Sequence, residues 1–222
     1  PAWALQPRIW EDNGNTLGSV TQLVKGYEDH AIPFGVVMID SPWETAYNTY
    51  RWDTIRYPRP ARFIEQMHQK GIRVVVWMTA NMNLTSRDQP LAKHPDYDWL
   101  IEQGYVTDHG DPWNWWKGEG VHIDFTNPEA VEWLHSQLDH MLEMGIDGWK
   151  TDAGANKKEK DYYITSKGKM SRRDFRALYY KDILEYSLQK NPEAIILARP
   201  YSHQGGFAST KSSCKVGWCG DF

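Results

Sequence analysis

The segment Pro60-Ala-Arg-Phe-Ile-Glu-Gln-Met-His-Gln-Lys-Gly-Ile-Arg-Val-Val-Val-Trp-Met78 decides the fold class of this chain. Its first half has the apolar spacing of an amphipathic helix, and Gly71 is expected to end that helix because glycine readily takes the left-handed backbone there. Residues 72–78 are almost continuously apolar, as in a parallel strand that is buried on both faces. A helix that leads directly into a buried strand is the repeating unit of α/β proteins.

The same alternation extends in both directions from this segment. We predict strands at 5–10, 34–39, 72–78, 146–151 and 194–198, with a sixth strand beginning at 215–219. Helices are predicted at 17–30, with Thr16 as its cap, at 60–70, at 128–144, with Asn127 as its cap, and at 171–189. Strands that alternate with helices in this way indicate a parallel sheet.

Two segments lack this periodicity. Residues 81–121 are dense in Asp, Pro, Gly and Trp and include Asp111-Pro-Trp-Asn-Trp-Trp116. We predict a long loop or a small excursion over the rim of the sheet for this segment. Residues 157–170 are predicted to form a charged loop.

Composition excludes several classes of function. The net charge is −4 and no basic stripe is present, so nothing indicates a nucleic-acid or anionic-membrane partner. No apolar run reaches the roughly 20 residues of a membrane helix, and no signal peptide is recognisable, which leaves a cytoplasmic or a secreted location open. Cys214 and Cys219 fit neither a disulfide framework nor a zinc site, and we interpret them as free thiols. The 12 tryptophans fit core packing and sugar stacking equally well.

Two aspartates carry most of the chemical information. Asp152 lies in the segment 145–154 and Asp221 in the segment 217–221, and each closes a strand-like run. If those strands are neighbours in a parallel sheet, both carboxylates reach one rim, where paired carboxylates suggest glycosidic chemistry. Lys150 points to the same side as Asp152, where its charge would keep that carboxylate ionised, and Trp218 would let a sugar stack near Asp221. The alternative is that both aspartates are ordinary polar residues at strand ends.

Further motifs follow one another along nearly the whole chain. They are Pro1-Ala-Trp3, Ile32-Pro-Phe-Gly-Val-Val-Met-Ile-Asp40, Trp52-Asp53 with Tyr57-Pro58, Lys70-Gly-Ile-Arg-Val-Val-Val-Trp77, Asp124-Phe-Thr-Asn-Pro-Glu-Ala130, Met144-Gly-Ile-Asp-Gly-Trp-Lys-Thr-Asp152, Ala198-Arg199 and Trp218-Cys-Gly-Asp221. In this order they resemble the catalytic barrel of glycoside hydrolase family 31, the retaining α-glycosidases, which include α-glucosidases, α-xylosidases and α-galactosidases.

The resemblance implies roles for particular residues. Asp152 is implied to be the nucleophile and Asp221 the general acid/base. Contacts with the substrate, or orientation of the acid/base region, are implied for Asp40, Trp43, Trp77, Lys150, Arg199 and Trp218. Simpler alternatives are a turn aspartate for Asp40, a core side chain for Trp77 and a surface ion pair for Arg199.

Other residues carry no such implication. His109, His122 and His203 lack metal-ligand spacing and are interpreted as ordinary polar histidines. We expect neither a metal nor an organic cofactor. Many family members continue the nucleophile motif with Phe-Gly-Glu, whereas this chain has Ala153-Gly154-Ala155, so a carboxylate at the rim is missing. A later histidine of the family, which helps to hold the sugar, would lie beyond Phe222.

The expected fold is therefore α/β, a partial TIM (β/α)8 barrel comprising about the first five to six strands. We expect residues 1–222 to be the N-terminal portion of the catalytic domain, with 81–121 as a rim insertion after strand three. Since the first residue is not Met, we expect the chain to begin inside a longer one that supplies the rest of the barrel and flanking β domains. The isolated segment is expected to be inactive.

The expected function is hydrolysis of α-linked oligosaccharides or glycosides through a covalent glycosyl-enzyme. One alternative is an enzyme that passes the same intermediate to a sugar acceptor or resolves it by elimination. Another is a catalytically silent carbohydrate-binding protein. A fold alone does not decide between them, because barrels host many chemistries.

Overall fold

A computed structural model of the chain describes residues 1–88, 91–152, 160–199, 201–202, 206–207 and 216–217. In chain order the strands are β1 (Arg8–Glu11), β2 (Val36–Ile39), β3 (Arg73–Met78), β4 (Asn81–Ser86), β5 (Trp113–Trp115), β6 (Gly118–His122), β7 (Gly148–Thr151), β8 (Tyr162–Thr165), β9 (Gly168–Ser171), β10 (Ile195–Ala198), β11 (Tyr201–Ser202), β12 (Gly206–Phe207) and β13 (Val216–Gly217). The α-helices are α1 (Leu17–Asp29), α2 (Pro60–Gln69), α3 (Tyr97–Glu102), α4 (Pro128–Glu143) and α5 (Arg172–Lys190).

The main sheet has six strands in the order β1-β2-β3-β7-β10-β13, and every pairing in it is parallel. The helices α1, α2, α4 and α5 lie between consecutive strands of this sheet, as crossover connections require. This arrangement is about half of a (β/α)8 barrel. The predicted α/β fold class and partial barrel are confirmed.

The central strands of the main sheet are buried on both faces. Every residue of β2, β7 and β10 is buried. Gly148 lies where β7 pairs with both β3 and β10, and a Cβ there would come within 2.3 Å of the Ile195 carbonyl oxygen. Glycine at this position allows the close approach of β7 and β10.

The helix boundaries follow the local signals in the sequence. The Thr16 hydroxyl accepts the backbone N–H of Ser19 at 3.1 Å, and Asn127 Oδ1 accepts that of Glu129 at 3.0 Å. Gly71 takes a left-handed φ of +74° just after α2. The predicted caps and the predicted helix end are confirmed.

Residues 81–121 are more ordered than a long loop. They contain α3 and most of a three-stranded antiparallel sheet in the order β4-β6-β5. The sheet buries polar side chains, since Asn81 and Asn83 accept hydrogen bonds from the indole nitrogens of Trp113 and Trp115 at 3.1 Å and 2.9 Å. Buried asparagines hide the apolar periodicity by which a strand is recognised.

The prediction of a charged loop at 157–170 is wrong for the part of it that the structure describes. β8 and β9 form an antiparallel hairpin there, and Gly168, the first residue of β9 after the turn, has a φ of +101°. β8 alternates exposed and buried residues, whereas the residues of β9 are exposed or half-buried. Lys169 Nζ lies 4.0 Å from the ring centroid of Tyr162. The charged side chains of this hairpin, such as Lys167 and Lys169, therefore lie on its solvent-exposed surface.

Candidate active site

The carboxyl ends of the parallel strands bring most of the predicted site residues together. Asp40 directly follows β2, Trp77 lies near the end of β3, and Lys150 and Asp152 lie at the end of β7. Arg199 directly follows β10. Because parallel strands all end at one edge of the sheet, these five side chains share one rim.

Asp152 is held through both carboxylate oxygens. It is 5% exposed, and Trp77 Nε1 donates a long hydrogen bond of 3.4 Å to its Oδ2. Arg199 Nε lies 3.5 Å from Oδ1. The backbone N–H of Asp152 donates to the carbonyl oxygen of Met78 at 2.9 Å, which fixes this turn to the neighbouring strand. The Arg199 guanidinium thus places a positive charge beside this carboxylate.

Lys150 forms a buried ion pair with Asp40. Its Nζ contacts Asp40 Oδ2, and the two side chains are 2% and 8% exposed. Asp40 also accepts hydrogen bonds of 2.7 Å from Trp10 Nε1 and from the backbone N–H of Ser41. These additional donors compensate for the desolvation of a buried carboxylate. The sequence predicted that the charge of Lys150 would act on Asp152. In the structure, Lys150 forms its ion pair with Asp40.

Trp10 is a site residue that the sequence interpretation missed. Its indole donates to Asp40, its ring centroid lies 4.9 Å from Lys150 Nζ, and it is 45% exposed. A cation over an indole face is favourable by about 0.5–2 kcal/mol. The available signal was its position near the carboxyl end of the first predicted strand, where barrel enzymes place functional side chains.

Aromatic rings support Trp77 from behind and from the side. Trp43 is fully buried and donates from its indole nitrogen to the Trp77 carbonyl oxygen at 2.8 Å. Trp115 stacks on Trp77 with ring centroids 6.3 Å apart and ring planes 12° apart, and Tyr47 meets both rings edge-on. In this structure Trp43 therefore contributes by orienting Trp77.

A polar cluster, which we call the rim clasp, joins four loops and consists of Asn13, Tyr47, Asp88 and Lys117. Lys117 Nζ contacts Asn13 Oδ1 and lies 3.3 Å from Asp88 Oδ2, and the Tyr47 hydroxyl donates to Asp88. Burial and the adjacent Asp88 carboxylate raise the pKa of Tyr47 above its ordinary value, so the hydroxyl stays protonated as a donor. The clasp ties the β4–β6 excursion to the loops after β1 and β2.

Asp221 and Trp218 lie outside the described residues, as do Ala153, Gly154 and Ala155. The assumption that the strands preceding Asp152 and Asp221 are direct neighbours is wrong, because β10 pairs with β7 on one side and with β13 on the other. The strand that leads to Arg199 lies between them.

The described residues were considered as possible metal ligands and their helices as possible membrane spans. Within the described residues, no group of three or more His, Cys, Asp or Glu side chains is placed to hold a metal ion. None of the helices in that part of the chain has the length and apolar character needed to cross a membrane.

Comparison with known proteins identifies a family. The model of the glycosyl hydrolases family 31 TIM-barrel domain matches residues 1–222. The α-xylosidase XylQ of Lactiplantibacillus pentosus is 28% identical over 213 residues, which cover 90% of this chain and 27% of the relative. The isomaltosyltransferase of Sporosarcina globispora is 26% identical over 186 residues, covering 79% of this chain and 16% of the relative.

A solved structure shows the same fold. A family 31 dextranase of Flavobacterium johnsoniae, complexed with glucose, superposes with a TM-score of 0.82 at 18% sequence identity, covering 100% of this chain and 28% of the dextranase. This chain thus spans about a quarter of the length of XylQ and of the dextranase.

Proposed function

Because the chain belongs to glycoside hydrolase family 31, we propose that it forms part of a retaining α-glycosidase in which Asp152 is the nucleophile. The observation that carries this proposal is the placement of Asp152 at the carboxyl end of a barrel strand. There it is oriented by Trp77 and accompanied by the Arg199 cation. A nucleophilic carboxylate must be held in a fixed orientation, and these two contacts restrain Asp152.

In the proposed reaction, an oxygen of Asp152 attacks the anomeric carbon while Asp221 transfers a proton to the departing glycosidic oxygen. The bond between that carbon and oxygen breaks, and a covalent glycosyl-enzyme forms. Asp221 then removes a proton from water, which attacks the same carbon and releases Asp152 as a carboxylate. Two displacements at one carbon return the sugar with its α configuration. The acid/base role of Asp221 rests on its sequence motif alone.

The remaining rim residues have supporting roles in this proposal. Asp40 and Lys150, as a fixed ion pair, present acceptor and donor atoms to sugar hydroxyls. Trp10 offers exposed indole surface on which a sugar face packs, and Trp77, which is 1% exposed, supports the site through its hydrogen bond to Asp152. Arg199 orients Asp152, and Trp218 is assigned to the wall beside Asp221 on sequence grounds.

The domain assignment is likewise a proposal. Residues 1–222 form the first part of the barrel, with 81–121 inserted at the rim, and the rest of the full-length protein completes the fold. The proposed ligands are α-linked oligosaccharides or glycosides.

The experiment that tests this function uses the full-length protein with α-linked glucosides, xylosides and galactosides. We expect turnover of at least one of them, and the product observed first by NMR to be the α anomer. Asp152→Asn should lower turnover by at least about 10³-fold, because the amide is a far weaker nucleophile. Activity of Asp152→Asn near that of the wild type would refute the assignment of the nucleophile.

Asp221→Ala provides the matched comparison, because a general acid matters most for poor leaving groups. This variant should hydrolyse natural α-glycosides very slowly and activated aryl glycosides much better. Azide should accelerate it by attacking the glycosyl-enzyme. Equal losses on both substrates and no azide effect would show that Asp221 is structural.

Transfer of the sugar to an acceptor sugar is a second candidate function. The 26% identity to an isomaltosyltransferase supports this candidate. Both reactions share the Asp152 intermediate and differ in what attacks it. Chromatography of the products at high substrate concentration separates them, since hydrolysis gives shorter sugars and transfer also gives longer ones.

A further inference from the structure

His122 is a buried imidazole beside Asp152 that the proposed reaction does not use. It ends β6 and is 8% exposed. Its ring stacks on Trp113, with centroids 4.9 Å and planes 17° apart, and meets the rings of Tyr163 and Phe175 edge-on at 4.9 Å and 5.4 Å. Three aromatic contacts fix the plane of the imidazole, so its two nitrogen atoms have set directions.

The two nitrogen atoms of His122 are in different situations. Nε2 is 3.2 Å from the Tyr163 hydroxyl. Nδ1 is buried and has no hydrogen-bond partner within the described part of the chain. Buried polar atoms in native proteins are almost always satisfied, and where protein groups do not reach them an ordered water does. The orphaned Nδ1 therefore points to a bound molecule.

A cavity of about 10 Å³ lies beside this ring. Ala80 and the rings of Phe175 and Tyr179 form part of its wall, and its polar lining comes from Thr79, Asn81, His122, Asp152 and Arg176. This volume matches about one water molecule, and the polar lining offers enough partners to hold it. The cavity thus connects the imidazole to the carboxylate that we assign as the nucleophile.

We propose that this cavity holds one water molecule, which bridges His122 Nδ1 and the Asp152 carboxylate, and that His122 is thereby a positioning residue for Asp152. The inference rests on the proposed function, because it deepens the role given to Asp152. The bridging water donates a hydrogen bond to the carboxylate. Such a bond favours the charged form and restrains the oxygen atoms.

The bridge works in either tautomer of the neutral ring. If Tyr163 accepts a hydrogen bond from Nε2–H, Nδ1 accepts one hydrogen of the water and the other is left for Asp152. If Tyr163 donates to Nε2, Nδ1–H donates to the water oxygen, and a water hydrogen again remains for Asp152. The carboxylate therefore receives a hydrogen bond in both cases.

The surroundings keep the ring neutral. Burial, together with the nearby cations Arg176 and Lys160, lowers the pKa of His122 to about 3. The other ionisable groups around the ring are Tyr163, Tyr179 and Asp152 itself. Protonation of His122 therefore does not occur in the range where glycosidases are assayed, and an effect of His122 on the pH profile acts through Asp152.

The first arm of the test is a high-resolution crystal structure of the full-length wild-type protein. We expect one ordered water within hydrogen-bond distance of both His122 Nδ1 and an Asp152 oxygen. A dry cavity, or a water that contacts only one of the two, would overturn the proposal. This arm does not depend on turnover, so it stands even if no α-glycoside is cleaved and the proposed function fails.

The second arm compares two substitutions of His122 in the full-length enzyme. In His122→Asn the amide lies near the former Nδ1 position, whereas in His122→Gln it extends to the former Nε2 position beside Tyr163. We expect His122→Gln to lose about tenfold in kcat and to shift the acidic limb of the kcat/KM profile upward. His122→Asn should keep the position of that limb.

Thermal unfolding of both variants separates positioning from folding. A purely structural role would change the unfolding midpoint of both without moving the acidic limb of either. The same shift in both variants, or no shift in His122→Gln, contradicts a bridge at Nδ1. If His122→Gln does not fold, the crystallographic arm decides the question alone.

Discussion

At the residue scale, Lys150 and Asp40 form a buried ion pair at the centre of the described site. Both side chains are almost fully buried, and the remaining donors to Asp40 are Trp10 and the backbone N–H of Ser41. Breaking such a pair on one side leaves a charge in a poorly solvated place.

We therefore expect Lys150→Met to lower the free energy of unfolding by about 3 kcal/mol. The double variant Lys150→Met/Asp40→Asn should recover part of this loss, because no buried charge is left over. Urea unfolding of the four proteins of this cycle measures the coupling. Lys190→Met is the matched control, since Lys190 pairs with Asp139 on the surface and its loss should matter little. Additive effects of the two site substitutions would contradict the coupling.

Glu44 is another buried carboxyl group and is 1% exposed. It accepts the backbone N–H of Tyr50 at 2.8 Å. Burial raises the pKa of Glu44 from 4.5 to about 8, and backbone N–H groups of Tyr50, Asn48 and Thr49 oppose that rise only partly. The folded protein therefore holds a proton at this position that the unfolded chain releases.

The sign of the pH effect follows. Between about pH 4.5 and pH 8 the folded state binds more protons at Glu44 than the unfolded state, so stability falls as pH rises through this window. The slope approaches about 1.4 kcal/mol per pH unit. Glu44→Gln should flatten the dependence of the thermal midpoint on pH across this range, whereas Glu132→Gln, at an exposed position of α4, should not. Parallel curves for wild type and Glu44→Gln would rule out this account.

The sequence predicted where the site residues lie better than it predicted which residues they contact. Residues that directly follow a buried strand must lie at the rim of a parallel sheet, which is why Asp40 and Arg199 were placed correctly. The alternation of side chains along a strand predicts the face on which Lys150 lies. It does not predict which residue of another strand or loop pairs with Lys150, and the structure shows that this partner is Asp40, which follows β2. Nothing in the local sequence around His122 indicates that only one of its nitrogens finds a protein partner.

At the scale of elements, the helices were predictable because their ends carry chemical signals. The α1 cap is reciprocal, since Thr16 accepts from the Ser19 backbone and the Ser19 hydroxyl accepts from the Thr16 backbone N–H. The antiparallel strands β4 to β6 were not predictable, because Asn81 and Asn83 are buried by pairing with tryptophans that are distant in sequence. The alternation of buried and exposed residues in these strands can be recognised only when the tryptophans that bind Asn81 and Asn83 are known.

A cap substitution tests the helix boundary directly. Thr16→Ala should lower the free energy of unfolding by about 1 kcal/mol, because it leaves the Ser19 N–H without its acceptor. Thr21→Ala is the control within the same helix. Thr21 is exposed and its hydroxyl bonds only to the Leu17 carbonyl one turn back, so alanine should be neutral or slightly stabilising there. Equal effects of the two substitutions, measured by chemical denaturation, would show that the cap is not important.

At the scale of the whole molecule, the main sheet has β1 at one edge and β13 at the other among the described strands. Exposed strand edges pair readily with other chains. Trp10 on β1 is 45% exposed, and the nearby Leu5 is 90% exposed. A polypeptide with these features and no further covering is expected to associate.

We therefore expect residues 1–222, expressed alone, to form oligomers or aggregates and to show no glycosidase activity. Light scattering after size-exclusion chromatography measures the first property, and an assay with activated aryl α-glycosides measures the second. A longer polypeptide that includes the rest of the full-length protein is the control and should be monodisperse and active. A monodisperse, active protein of residues 1–222 would show that these residues suffice.

The rim clasp has a consequence for protein engineering. The β4–β6 excursion is a segment that could be exchanged between relatives to reshape the cleft. However, Lys117 and Asp88 within the excursion form polar contacts with Asn13 and Tyr47 outside it. A graft that carries only the excursion would place foreign side chains against those two residues and loosen the wall that supports Trp77. The transferable module is therefore discontinuous, and a successful chimera has to move the excursion together with both of its anchoring positions.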